Sequence, residues 1–488
     1  MNIILVIFDS LRKDCIGCYN AGEPGSPPWG WKVKTPHLDA LSEESLLMTR
    51  AYPESLPTLP ARRAIYTGKR VYPFHDARFR LRGDLVGAAR APGWGPIPED
   101  QDTLAEILQE AGYRTGLIAD VYHMFKPSKN FWRGFDQWTF LRGQETDKAR
   151  SGPEPPEELV RKYLPEELEK QIPQLRNVII NELKNMYDRT LEEDYFNARV
   201  FIEAARWLEQ NRDADKFFLT VESFDPHEPW FVPEYYRKMY DDSDGREQVL
   251  STYRTTENIP EQLINRTRAN YSGLVTMCDR WFGHFYETMR SLGLLENTVL
   301  IVTTDHGHSI GDRGYLGKQG HPSAPEVYEI PVFIRHPEGI GAGKRSDLLI
   351  QHIDLSAQIL QFAGVPLPED LDGKCFFDQA VNNGQPIRDH VTIAWGPNIT
   401  VIDDNWWLNC KVNGSGVLLY DLNASDPFEK NVADEHRDVA ERLFKLALDD
   451  AKGGVPDYLI EMAGTEEDVP GCSELALGNL LNRTGDNK

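Results

Sequence analysis

The chain is 488 residues long, 40% apolar and 26% charged, an ordinary globular composition with enough length for one large domain and a smaller one. A formal net charge of −23 excludes nucleic acid or an anionic membrane surface as the main ligand, so any anionic substrate needs a local cation. Six scattered cysteines form no disulfide framework, and no stretch approaches the ~18–20 apolar residues of a membrane span.

The first predicted element, Asn2–Phe8, is a continuous apolar run ending at Asp9-Ser10. It lacks the basic flank and small-residue cleavage site of a signal peptide, so it is read as a buried strand. Cys15 and Cys18 have CxxC spacing, but no second pair or histidine cluster completes a zinc site. They are read as reduced thiols of a cytoplasmic protein. The segment Ser55–Arg70 carries Thr58 two residues before Pro60, then Arg62 and Arg63, and is closed by Gly68. Thr58 is expected as a helix N-cap, Pro60 in the first turn and Gly68 at the C-cap. This sets a hydroxyl and a guanidinium at the positive end of a helix dipole. Alone, the pattern describes a capped surface helix better than an anion site.

Further along, helical patterns alternate with apolar runs. Thr103–Ala111 precedes a strand at Arg114–Ile118, a helix from about 193 to 210 precedes Phe217–Val221, and one from about 268 to 292 precedes Thr298–Thr304. Another strand follows at Pro331–Arg335. Such alternation predicts an α/β fold with a doubly wound, mostly parallel sheet and a ligand site beyond the carboxyl ends of its strands. Polar residues gather at those exits: Asp9 and Ser10, then Asp120, Tyr122 and His123, then Glu222, Asp225 and His227, then Asp305, His306 and His308. Segments at about 75–100 and 141–190 read as insertions, forming lids or homo-oligomer contacts, the second of them helical. Val381–Pro386 marks a boundary between a main domain over 1–385 and a small α+β C-terminal subdomain over 386–488. The subdomain is expected to hold strands at Val391–Trp395 and Val417–Tyr420, a helix at Asp438–Asp450 and a tail.

With these motifs in place, the chain resembles the sulfatase branch of the alkaline phosphatase superfamily, from Asn2 to about Ala433. That branch ends its N-terminal strand in a metal-binding aspartate, matched by Asp9, and carries a Thr-Pro-His/Asn-Leu-Asp segment, matched by Thr35–Asp39. Its nucleophile motif, Cys/Ser-x-Pro-x-Arg with a Thr-Gly beyond, is matched by Thr58-Leu59-Pro60-Ala61-Arg62 and Thr67-Gly68 in every spacing but not in the nucleophile. The Asp-Pro-His-x-Pro loop matches Asp225–Pro229, and Ser/Thr-Asp-His-Gly matches Thr304–Gly307. Gly-Asp-x-Gly-x-x-Gly-Lys matches Gly311–Lys318, and a C-terminal signature appears, one residue longer, as Leu419–Pro427. The resemblance implies an alkaline-phosphatase-like fold and a hydrolase of ester bonds.

Departures from the pattern bear on the reaction. Sulfatases oxidise the cysteine or serine at the Thr58 position to formylglycine, and a threonine cannot be converted because its β-carbon carries a methyl group. Their second metal-binding aspartate is Ser10 here, and the lysine–histidine pair after the Arg114–Ile118 strand reads Asp120 and Tyr122, with His123 one place off. The set Asp9, Thr58, Asp305 and His306 is closer to the phosphonate monoester hydrolases and phosphodiesterases of the same superfamily. These four residues would bind one divalent metal, with the imidazole favouring Mn²⁺ or Zn²⁺ over Ca²⁺ or Mg²⁺. The resemblance gives Thr58 the role of nucleophile, Arg62 and Lys318 that of holding the substrate's remaining oxygens, and His227 that of protonating the leaving alkoxide. A phospho-threonine can be resolved by attack at phosphorus, whereas a sulfo-threonine lacks the exit that formylglycine provides. The expected substrate is therefore a small phosphodiester or phosphonate monoester. Three other readings stay open: a sulfuric ester hydrolase acting without formylglycine, a non-catalytic homologue that binds an anion, and a soluble transferase.

Overall fold

All seven residues of strand β1 (Asn2–Phe8) are buried, and their side chains alternate between two cores. Ile4, Val6 and Phe8 enter one, while Ile3, Leu5 and Ile7 enter the other, because successive strand residues point to opposite faces of a sheet. A sheet covered on both faces is what a continuous apolar run requires. The computed structural model describes residues 1–20, 27–75, 92–126, 129–243, 252–452 and 454–464.

In chain order the next strands are β2 (Leu46–Tyr52), β3 (Arg114–Ala119), β4 (Gln137–Phe140), β5 (Phe217–Ser223), β6 (Arg254–Thr255) and β7 (Thr298–Thr304). They are followed by β8 (Ser309–Ile310), β9 (Tyr315–Gly317), β10 (Ile330–Arg335), β11 (Arg345–Ser346) and β12 (Ile350–Gln351). The main sheet runs β11-β2-β10-β7-β1-β5-β3-β4, with β12 also on β2, and a small sheet runs β6-β9-β8. The central pairs β7·β1, β1·β5, β5·β3 and β3·β4 are parallel, as expected. Strand β10 is antiparallel to both β7 and β2, a direction that its apolar run does not encode.

Helices Phe196–Asn211 and Glu261–Ser291 cover the face that holds Phe8, through Phe201, Leu274 and Phe282. The helices Glu157–Tyr163, Glu166–Gln171 and Leu175–Asn185 of the second insertion join the same core through Val160, Leu164, Leu168 and Ile179. On the opposite face lie helices Thr58–Thr67 and His352–Ala363, through Leu59, Ile65, Leu355 and Ile359. Of the first insertion, residues 76–91 lie outside the described residues.

The C-terminal region forms an antiparallel sheet of β13 (Val391–Trp395), β14 (Asn398–Ile402), β15 (Trp406–Lys411) and β16 (Leu418–Asp421). Helices Arg437–Asp450 and Asp457–Gly464 cover it, and Leu443, Leu459 and Ile399 share a core with Ala64 of the Thr58 helix. Its strand β13 also reaches the segment before Thr58: Leu56 N donates to Ala394 O at 2.9 Å and Ala394 N to Glu54 O at 3.1 Å. The tail beyond residue 464 lies outside the described residues. No helix among the described residues is long and apolar enough to cross a membrane.

Candidate active site

Four adjacent parallel strands deliver acidic residues to one edge of the sheet. In spatial order, β7 ends before Asp305, β1 before Asp9, β5 carries Glu222 as its penultimate residue, and β3 ends before Asp120. The register fixes their proximity, since Phe8 lies opposite both Ser223 and Thr304 and Ala119 opposite Glu222. The ladder continues one step past the strands, with Asp9 N donating to Ser223 O at 2.8 Å.

Asp9, Asp305 and His306 offer ligand atoms that all lie within 4.8 Å of one another, and all three are fully buried. Ser10, in the left-handed region at φ 63°, organises both carboxylates. Its hydroxyl donates to Asp9 Oδ1 at 3.0 Å and its N–H to Asp305 Oδ1 at 3.1 Å. The His306 ring faces Gly307 O with Nδ1 at 3.0 Å, so Nδ1 carries the proton and Nε2 a free lone pair. That Nε2 is buried without a hydrogen-bond partner, 3.4 Å from Asp305 Oδ2. Burial, and then the nearby Lys318 charge, push the His306 pKa well below the usual imidazole range, which keeps the ring neutral.

The Thr58 segment differs from expectation in one detail. Pro57 is the N-cap residue and Thr58 the first helical one, because Pro57 O already accepts from Ala61 N at 3.0 Å. No side-chain cap bond forms, so capping does not consume the Thr58 hydroxyl. Gly68 closes the helix at φ 64°, as expected. One turn beyond Thr58, Arg62 sends Nη1 to Asp305 Oδ2 at 2.5 Å, to Asp9 Oδ2 at 3.1 Å and to Thr58 O at 3.2 Å. Its third carboxylate is Glu222, which the sequence marks only as a polar strand-exit residue with no role. Glu222 accepts from Arg62 Nε at 3.0 Å and from the Tyr66 hydroxyl at 3.0 Å. Burial pushes Glu222 up to about 7 although the Arg62 charge opposes the shift. A glutamate at a strand exit was the only available signal.

His227 and Lys318 meet in a second group, with Lys318 Nζ 2.7 Å from His227 Nε2. His227 Nδ1 faces Glu228 O at 2.6 Å, and a carbonyl can only accept, so Nδ1 is protonated and Nε2 accepts from Lys318. The Glu228 carboxylate lies 3.2 Å from His227 Nδ1 and 3.3 Å from His308 Nδ1, and also takes the Tyr253 hydroxyl. Burial opposes its ionisation, yet the positive charge carried by the His227–Lys318 pair holds it far below the usual carboxylate range. His308 is thus an inner residue, whereas His321 meets Gly416 O at the partly exposed edge and His352 meets Thr304 O. His123 pairs with Glu145 at 2.6 Å and Lys126 at 3.0 Å. Asp120 accepts from Gln144 Nε2 at 3.0 Å and from Phe224 N at 2.6 Å, and lies outside the Asp9 cluster.

The family model for sulfatases matches residues 1–365. The chain belongs to the sulfatase family. It is 24% identical over 417 aligned residues to an arylsulfatase of Clostridium perfringens, which covers 80% of each chain. To the multifunctional alkaline phosphatase superfamily protein PehA of Trinickia caryophylli it is 24% identical over 535 aligned residues, covering 94% of this chain and 97% of the relative. The crystal structure of the phosphonate monoester hydrolase of Agrobacterium radiobacter shares the fold with a TM-score of 0.68 at 20% identity, over 92% of this chain and 95% of that one. This sulfatase-family chain is thereby placed among hydrolases of ester bonds that use a divalent metal. The orphaned His306 Nε2 beside two buried carboxylates fits such an ion.

Proposed function

We propose that this sulfatase-family protein hydrolyses phosphodiesters or phosphonate monoesters through a covalent ester on Thr58. The observation that carries the reading is the nucleophile position itself: a threonine at the head of a buried helix, with its hydroxyl uncommitted to a cap and Arg62 one turn away. The likeness to a phosphonate monoester hydrolase supports the same substrate class.

Asp9, Asp305 and His306, with Thr58, would hold the divalent ion, which supplies charge neutralisation and a lower hydroxyl pKa at Thr58. Thr58, its hydroxyl proton already lost to solvent, attacks phosphorus as the alkoxide in line with the leaving oxygen, and the P–O bond to the leaving alkoxide breaks. Arg62 carries the non-bridging oxygens, its guanidinium one turn from Thr58 on the same helix. The His227–Lys318 pair delivers the proton to the alkoxide. At rest that proton sits on Lys318 Nζ, facing His227 Nε2, so the two residues act as one donor. Water attacking the phospho-threonine then gives its proton to the emptied pair, and the Thr58 oxygen leaves. A second reading, sulfate ester hydrolysis without formylglycine, is favoured by the arylsulfatase relative.

Assaying the purified protein with a bis-aryl phosphate, an aryl phosphonate monoester and an aryl sulfate, with and without Mn²⁺, separates these readings. Turnover of the phosphoryl esters, abolished in Thr58→Ala, is the expected result. Turnover of the sulfate alone would leave the second reading standing.

A further inference from the structure

We infer that Glu222, braced by the Tyr66 hydroxyl, is the positioning residue that fixes the Arg62 guanidinium beside Thr58. The inference rests on the Thr58 reading for the identity of the reaction and extends it to residues outside the family motifs. Thr58, Arg62 and Tyr66 are spaced four residues apart on one helix and so share one face. Glu222 meets that face from the end of β5, and all four residues are buried to within 3%. Arg62 Nε is 3.0 Å and Nη2 2.9 Å from the same Glu222 oxygen, while the other Glu222 oxygen takes the Tyr66 hydroxyl.

The division of labour among the three carboxylates carries the argument. Asp9 and Asp305 contact only Nη1, and both belong to the cluster that would hold a divalent ion. A cation held there competes with Arg62 for them and repels the guanidinium. Glu222 has no share in that cluster and grips the opposite side of the group. It anchors Arg62 through the Nε hydrogen bond and pairs with Nη2 at 2.9 Å, so one side of the guanidinium is held independently of the Asp9–Asp305 side. An arginine side chain has several rotatable bonds, so losing the anchor costs orientation before it costs the charge. Tyr66 fixes the Glu222 rotamer in turn, which explains a buried phenol at a helix position whose neighbours Leu59 and Ile65 are aliphatic.

The test is a double-mutant cycle on the metal-loaded protein, with each ester the wild type turns over. Glu222→Gln is expected to lower kcat/KM by about 10²-fold and Tyr66→Phe by about 10-fold, with metal content unchanged. In an Arg62→Ala background neither substitution should lower kcat/KM further, because the group they position is gone. Full additivity with Arg62→Ala, or wild-type kcat/KM in Tyr66→Phe and Glu222→Gln, overturns the inference. Should Glu222→Gln fail to fold, Tyr66→Phe completes the cycle alone. If only a sulfate ester is turned over, the reaction reading fails while the cycle still reports on Glu222, since Arg62 serves either anion. If no ester is turned over, calorimetry with inorganic phosphate replaces kinetics. Glu222→Gln should then weaken phosphate binding at least 10-fold, and unchanged binding overturns the inference.

Discussion

Thr58 keeps its hydroxyl free because Pro57 and not Thr58 caps the helix, and this small shift in the helix start matters at the scale of single residues. The spacing Thr58-x-Pro60-x-Arg62 makes the segment legible, but not which residue spends its polar group on the backbone. The strand exits Asp9 and Asp305-His306 were legible for the same reason that β1 and β7 were, since continuous apolar runs point straight at the residue that follows them. Glu222 was legible as a strand exit but not as a partner of Arg62, which is 160 positions away, and a single glutamate has no spacing to read. The His227–Lys318 pair leads to a prediction at this scale. His227→Ala should slow esters with poor leaving groups by about 10²–10⁴-fold, and activated aryl esters far less. Plotting log kcat/KM against leaving-group pKa measures it, and an equal loss across the series would remove the pair from leaving-group protonation.

Elements hold these residues through backbone packing that leaves little slack. At Gly307 a Cβ would come 2.0 Å from Glu326 O, a backbone atom with no flexible end to yield. Gly307→Ala should therefore displace the carbonyl that fixes the His306 tautomer, costing about 1–3 kcal/mol of stability and reducing bound metal. Urea denaturation and elemental analysis check both effects. Asp279, on the long helix Glu261–Ser291, accepts from His37 N at 3.1 Å and Leu38 N at 2.8 Å, and so caps the start of helix Pro36–Glu43 from outside. Burial pushes Asp279 up to about 7. Its folded pKa thus exceeds the unfolded value of about 3.9, so its stabilising contribution is full below pH ~4 and is lost as pH rises through about 7. Asp279→Asn should flatten that part of the stability–pH curve, and urea midpoints at pH 5 and pH 8 would show whether it does. Helix–strand alternation revealed most elements. Strand β2 escaped because Thr49 and Arg50 interrupt its apolar run, and the antiparallel setting of β10 follows from chain connections that no local pattern carries.

Across the whole molecule, a chain of net charge −23 concentrates Asp9, Asp305 and Glu222 around one guanidinium at the sheet edge. A divalent cation relieves that excess of buried negative charge. Chelation should lower the unfolding temperature and Mn²⁺ or Zn²⁺ restore it, by about 2.7 kcal/mol at a hundredfold excess over Kd. Identical melting of chelated and loaded protein would show that the cluster holds no ion. The C-terminal sheet belongs to the same unit physically, since β13 is hydrogen-bonded beside the Thr58 segment and shares a core with its helix. The central claim, a phosphoryl group passing through Thr58, has a direct measurement. Rapid acid quenching during turnover of an aryl phosphonate or phosphodiester, followed by peptide mass spectrometry, should find the substrate's phosphorus covalently on the peptide containing Thr58. Turnover with that peptide unmodified at every quench time, and undiminished in Thr58→Ala, would contradict it.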